Sequence, residues 1–180
     1  MSLALLLVDL QGPLLATVPD GPAVLARCRL AVAAAQLLDL PVIVTEQVPE
    51  KLGSTEASVL SLLGPTPTLF AKTSFSALGA PGLLNHLRDL KIDHVLLAGL
   101  EGPVCIHQTA VHALAESIGV TLLGDAVGAR RPSDQALVEE NLRRAGVAIL
   151  PVETIFYSIL GDSQHPKFKA FTALVKQAQA

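Results

Sequence analysis

Aromatic residues are scarce in this chain of 180 amino acids, with one tyrosine, five phenylalanines and no tryptophan. A core built without them must come from Leu, Val, Ile and Ala, which dominate a hydrophobic fraction of 51%. Charge is scarce as well: charged residues make up 16%, and 13 basic residues against 16 acidic ones leave a net charge of −3. That balance supplies no basic footprint for nucleic acid and no attraction to an acidic membrane surface, so neither partner is expected. Long hydrophobic runs are also missing, although the mean hydropathy is +0.51. Leu3 to Val8, Val42 to Val44 and Val95 to Leu100 are short, and Ala23 to Leu40 is broken by Arg27, Arg29, Gln36 and Asp39. None approaches the roughly 18 apolar residues of a transmembrane helix. Cysteine is limited to Cys28 and Cys105, which allow one disulfide at most, and Asp9 interrupts the apolar start before it can serve as a leader. A reducing, cytoplasmic setting with free thiols is therefore expected.

Cofactor signatures are absent too. Gln11-Gly12-Pro13-Leu14 stands where a G-x-G-x-x-G would follow the first strand, and there is no G-x-x-x-x-G-K-[ST]. The five histidines, His86, His94, His107, His112 and His165, show no metal spacing. His107 and His112 lie about 140° apart around a helix. Neither a cofactor nor a metal is expected.

What is present is an alternation of apolar runs and helix-like segments within the size of one domain, residues 1–180. Strands are expected at Leu3 to Val8, Pro41 to Thr45, Thr68 to Ala71, His94 to Ala98, Val120 to Leu123 and Val147 to Leu150. Helices are expected at Ala23 to Leu38, over part of Glu50 to Leu63, at Pro81 to Leu90 and at Pro103 to Ser117. Three more follow at Ser133 to Ala145, with Ser133 as N-cap, Glu153 to Ile159 and Pro166 to Gln179. Strands apolar on both faces, each followed by a helix, imply an α/β protein with a mostly parallel sheet covered on both sides. Ligands of such sheets sit at the carboxyl ends of the strands. Those ends carry Asp9, Thr45-Glu46-Gln47, Lys72 and the segment Leu100 to Cys105.

Cys105 follows Pro103 in a strand–turn–helix segment, which places it in the first helical turn. The free N–H groups and dipole of that turn favour a thiolate and lower its pKa, and they suit an oxyanion. The competing reading is a small buried hydrophobe, the usual role of a free cysteine. Asp9 ends the all-apolar strand LALLLVD, either as a functional carboxylate or as a cap for the turn behind it. Lys72, in FAKTSFSAL, is a charge stabiliser or a solvated loop lysine. Together the three supply nucleophile, base and cation. By position, Leu14, Gln47, Phe75 and Leu100 line a substrate pocket, and Glu101 faces either that pocket or solvent. Cys28 reads as structural, His107 and Gln108 as packing residues, Thr109 as bonded back to its helix, and Asp125 as a cap for Ala126 to Arg131.

The segments LLLVDLQ, TEQ, FAKTSFSA and LLAGLEGPVCIHQTA resemble the isochorismatase-like hydrolases, or cysteine hydrolases, over nearly the whole chain. The resemblance implies a three-layer α/β/α Rossmann-like sandwich of about six strands, usually assembled as dimers or larger homo-oligomers. It also implies an Asp–Lys–Cys triad at Asp9, Lys72 and Cys105. The implied mechanism makes Asp9 the base and Cys105 the nucleophile on an amide carbonyl. Backbone N–H groups of Glu101 and Cys105 hold the oxyanion, and a non-proline cis peptide lies at Leu100–Glu101. True isochorismatases lack the nucleophilic cysteine, and nicotinamidases carry a metal-binding D-x-H plus His where this chain reads Thr45-Glu46-Gln47-Val48-Pro49-Glu50-Lys51-Leu52-Gly53. The chain looks most like the small isochorismatase-domain subgroup of unassigned substrate. A small-molecule amide or related acyl compound is the expected substrate. The competing functions are a catalytically silent oligomeric scaffold or binding protein and a thiol-reactive redox sensor. Helices as apolar as Ala23 to Leu38 further suggest a subunit interface.

Overall fold

Six consecutive apolar residues form the first strand, β1 (Leu3–Val8). Strand alternation sends Leu5 and Leu7 to one face and Ala4, Leu6 and Val8 to the other, and both faces are buried. The structure is a computed structural model that describes residues 2–178. After β1 come α1 (Gly12–Leu15), α2 (Gly21–Leu37), β2 (Val42–Gln47), α3 (Pro49–Leu52), α4 (Ala57–Leu63) and β3 (Thr68–Lys72). The second half continues with α5 (Leu83–Asp89), β4 (His94–Leu100), α6 (His107–Ala115), β5 (Gly119–Gly128) and α7 (Pro132–Arg144). It closes with β6 (Ala148–Leu150), α8 (Val152–Leu160) and α9 (Phe168–Ala178). The expected end of the last helix, Gln179, lies outside the described residues.

The strands pair in the order β3-β2-β1-β4-β5-β6, all parallel. The order reverses between β1 and β4, and a crevice opens at that point beyond the strand ends. Helices α2, α8 and α9 bury the Leu5/Leu7 face, and α5, α6 and α7 bury the opposite one, giving a three-layer α/β/α sandwich. Among the described residues no helix is long and apolar enough to cross a membrane.

Several expectations need correction. The chain from Glu50 to Leu63 divides into two short helices, and β2 runs on through Glu46 and Gln47, because ladder bonds to β3 continue as far as Gln47 and Lys72. Ser133 is not an N-cap: α7 starts at Pro132, and the extended Arg131 precedes it. Asp125 caps a different element, accepting the Val152 N–H at the start of α8 at 2.8 Å while pairing with Arg27. The apolar length of α2 is covered inside the chain by α8 and α9, so it does not itself call for a partner. Cys28 sits wholly buried on α2 with its thiol on the Ala126 carbonyl. Burial, and then the nearby Asp125 carboxylate, push that thiol up to about 12 and keep it neutral.

One glycine sets how closely the two central strands approach at the crevice. Gly99 lies opposite Val8 at φ +129°, and a side chain there would run into the Val8 backbone. The β4–β5 register shifts at the same place, between Leu97 and Gly99. Gly99→Ala is therefore expected to destabilise the protein by about 3 kcal/mol or more through combined overpacking and backbone strain. Urea denaturation measures it, and a loss below about 1 kcal/mol would contradict this account.

Candidate active site

Three strands end beside the crevice, and each is followed at once by a left-handed residue: Asp9 at φ 54°, Val48 at φ 40° and Glu101 at φ 59°. Such backbone is uncommon for non-glycine residues and collects where geometry serves a site. The turns keep polar groups packed at the sheet edge. Gln11, fully buried, accepts the Gln47 N–H at 2.8 Å and donates to the carbonyls of Gln47 and Gly53. Glu46 accepts both the N–H and the hydroxyl of Thr55. The loops after β1 and β2 are thereby tied together.

Asp9, Lys72 and Cys105 come together inside this frame. The Lys72 ammonium donates to Asp9 Oδ2 at 2.6 Å, with neither side chain exposed. It also reaches Gln47 Oε1 at 2.5 Å and the carbonyls of Ser74 and Phe75, and it lies 3.8 Å from Cys105 Sγ. The other carboxylate oxygen, Asp9 Oδ1, accepts from the Thr45 hydroxyl at 2.8 Å. A buried ammonium and carboxylate persist only when paired and hydrogen-bonded in this way. Thr45 orients Asp9, and its signal in the sequence is its place as the polar residue closing the apolar strand PVIVT.

Cys105 sits in a widened π-type turn, Gly102–Ile106, that leads into α6. The Glu101 carbonyl accepts from both Val104 and Ile106, and the Glu101 N–H has no protein acceptor among the described residues. Thr109 donates to the Cys105 carbonyl at 2.6 Å and accepts the Ala77 N–H, so one hydroxyl pins the Cys105 turn to the loop after Lys72. His107 packs outward onto Asn141 of α7. The Leu100–Glu101 peptide is trans, contrary to expectation, because the left-handed Glu101 and the wide turn behind it already redirect the chain.

The thiol state also departs from expectation. Burial is the main cause that pushes Cys105 up to about 12, and the Asp9 carboxylate adds to it. Lys72 pulls the other way without cancelling these effects. The resting thiol is neutral because desolvation and negative neighbours outweigh the pull of Lys72.

A cavity of about 410 Å³ opens on Cys105. Leu14, Gln47 and Phe75 stand on its wall, together with Glu101. Leu100 does not, because it shares the inward face of β4 with Leu96 and Ala98 and is buried in the core under α2. Strand alternation carried that signal. Thr17, Val104 and Arg130 complete the wall. Arg130 belongs to the segment Ala126 to Arg131 that the sequence places after a strand end, and β5 carries it to the crevice, where it donates to Glu101 Oε2 at 3.0 Å. Among the described residues no three His, Cys, Asp or Glu side chains group to hold a metal ion.

Compared with known proteins, residues 3–154 match the isochorismatase domain. The chain belongs to the isochorismatase family. Isochorismatase domain-containing protein 1 of Danio rerio is 35% identical over 143 residues, covering 79% of this chain and 50% of the relative. The chain thus spans half the length of that relative. Isochorismatase domain-containing protein 2 of Xenopus laevis is 30% identical over 177 residues, 98% of this chain and 84% of the relative. Among solved structures, the MAR1 ribonuclease of Caenorhabditis elegans superposes with a TM-score of 0.91 at 32% identity, covering 97% of this chain and 89% of that one. Membership of the isochorismatase family points to hydrolase activity and leaves the substrate open.

Two measurements follow from the buried cluster. Asp9→Asn or Lys72→Met alone leaves an uncompensated buried charge and is expected to cost about 3–5 kcal/mol in urea denaturation. The double variant should cost clearly less than the sum. Alkylation of Cys105 by iodoacetamide should stay slow at pH 8 and rise only in strong alkali, with Asp9→Asn moving the profile down and Lys72→Met moving it up. An ordinary thiol profile near about pH 8.5, indifferent to both changes, would refute this electrostatic picture.

Proposed function

We propose that this isochorismatase-family chain is a cysteine-dependent hydrolase of a small, largely apolar amide or related acyl compound, acting through a thioester. One observation carries the reading: thiol, carboxylate and ammonium from separate strand ends share one buried cluster that opens on a cavity of about 410 Å³. Asp9, oriented by Thr45 and Lys72, takes the Cys105 proton as the sulfur attacks the carbonyl carbon. Since the thiol is neutral at rest, proton transfer accompanies attack, and the ammonium 3.8 Å from the sulfur stabilises the charge as it forms. The N–H groups of Glu101 and Cys105 hold the oxyanion. The proton on Asp9 passes to the leaving nitrogen, and ammonia or an amine departs. Water, losing a proton to Asp9, then hydrolyses the thioester, and that proton returns to the sulfur.

A net charge of −3 and a small, mainly apolar cavity favour such a compound over a polynucleotide. A redox-sensing role is disfavoured, because a sensor needs thiolate at neutral pH and burial suppresses it here. We read the chain as a single cytoplasmic domain that forms a dimer or larger homo-oligomer. Phe75 at the cavity and Leu137 on α7, 58% and 74% exposed, offer apolar surface to a neighbouring subunit.

The test is ammonia release across a panel of small primary amides. Cys105→Ala is expected to lower it by about 10³-fold or more, and protein quenched in acid during turnover should carry an acyl adduct on Cys105. Ammonia release that survives Cys105→Ala would overturn the proposal.

A further inference from the structure

Glu101 is an unusual wall residue for an apolar cavity. Its side chain is 9% exposed and held on left-handed backbone. One carboxylate oxygen, Oε2, takes the Arg130 guanidinium. The other, Oε1, is buried and has no protein donor among the described residues. Leaving such an acceptor unpaired costs about 1–3 kcal/mol, and more when it is charged. Asp9, by contrast, has both carboxylate oxygens occupied, accepting from Thr45 and from Lys72.

The surrounding charges limit what fills that position. Asp9 is balanced by Lys72, and Glu101 by Arg130, so the cavity wall carries no net charge to draw an ion. A carboxylate or another acceptor-only group would meet Oε1 with like polarity. A second cation would compete with Arg130 for one carboxylate. A neutral N–H meets neither objection. Access requires only a small rotation of the carboxylate about its soft terminal torsion, with the half-exposed Arg130 keeping its contact with Oε2.

We propose that Glu101 is a specificity-determining residue whose free carboxylate oxygen receives an N–H of the ligand, so that the Cys105 cavity selects an uncharged amide over the ester of the same acid. An ester offers only acceptors to Oε1, whereas an amide nitrogen supplies the missing donor. The assignment names the substrate class of the thioester reaction and rests on that reading for its catalytic consequence, but binding alone can test it.

The experiment titrates the Cys105→Ala protein with butanamide and with methyl butanoate, which share an acyl group, and follows the backbone signals of Val104 and Gln47 by NMR. Butanamide is expected to bind about tenfold or more tightly than the ester, the size of a hydrogen bond to a charged acceptor. In Cys105→Ala/Glu101→Gln, the amide oxygen of the new side chain faces Arg130 and its NH2 turns to the cavity, so the preference should vanish or invert. Equal affinities in the Glu101-containing protein, no saturable binding of either compound, or a preference that survives Glu101→Gln would overturn the assignment. The comparison in the Glu101-containing protein decides the matter even if the double variant fails to fold. Turnover is read separately with Cys105 intact. Glu101-dependent amide binding without ammonia release refutes the thioester reaction and leaves the assignment standing, and ammonia release with Glu101-independent binding does the reverse.

Discussion

An ammonium and a carboxylate, both without solvent exposure and 2.6 Å apart, hold together the edge of the sheet on which the site is built. Neither charge is tolerable alone at that depth, so the pair can exist only if β1 and β3 end at the same level with the intervening β2 in register. Thr45 on β2 occupies the second oxygen of Asp9, and Gln47, two residues on, shares the ammonium of Lys72. Three strands are thus locked by one electrostatic requirement. The loop carbonyls of Ser74 and Phe75 are drawn into the same network, which brings Phe75 to the cavity.

The fourth strand brings the thiol. Gly99 lets β4 approach Val8 closely, and the left-handed Glu101 then turns the chain so that Cys105 stands next to the pair. Burial makes the thiol a weak acid, which slows its alkylation and oxidation at neutral pH. In the proposed reaction, the same burial makes reactivity depend on a base already in place and already oriented. A buried carboxylate with both oxygens engaged, one of them by the cation that also faces the sulfur, meets that need. In that reaction, resting inertness and readiness for attack share one physical cause.

Much of this was readable in the residues. The run Leu3–Val8 can bury both faces only in a covered parallel sheet, and the polar residues that end the apolar runs mark the ligand edge. Asp9, Lys72 and Cys105 stand at those ends, and the motifs around them resemble the isochorismatase family that the domain match then showed. The misreadings have physical origins. Ser133 looked like a helix cap, but Pro132 starts the helix one residue earlier. Leu100 was placed in the pocket by its proximity to Cys105, although β4 alternation points it at α2. The helix position of the cysteine argues for an acidic thiol, a local signal overruled by burial and then by the Asp9 carboxylate from another strand.

The sequence by itself determined the alternation of strands and helices, the burial of the sheet on both faces and the placing of a carboxylate, an ammonium and a thiol at strand ends. Those properties follow from side-chain periodicity and apolar run length, which act over a few neighbouring residues. Only the tertiary structure decided that Lys72 neutralises Asp9, that the Cys105 thiol is neutral, and that Arg130 meets Glu101 across 29 positions of chain while leaving one carboxylate oxygen free. Desolvation and Coulomb energy depend on which groups fold into the same few ångströms, and no local pattern in the chain encodes that distance.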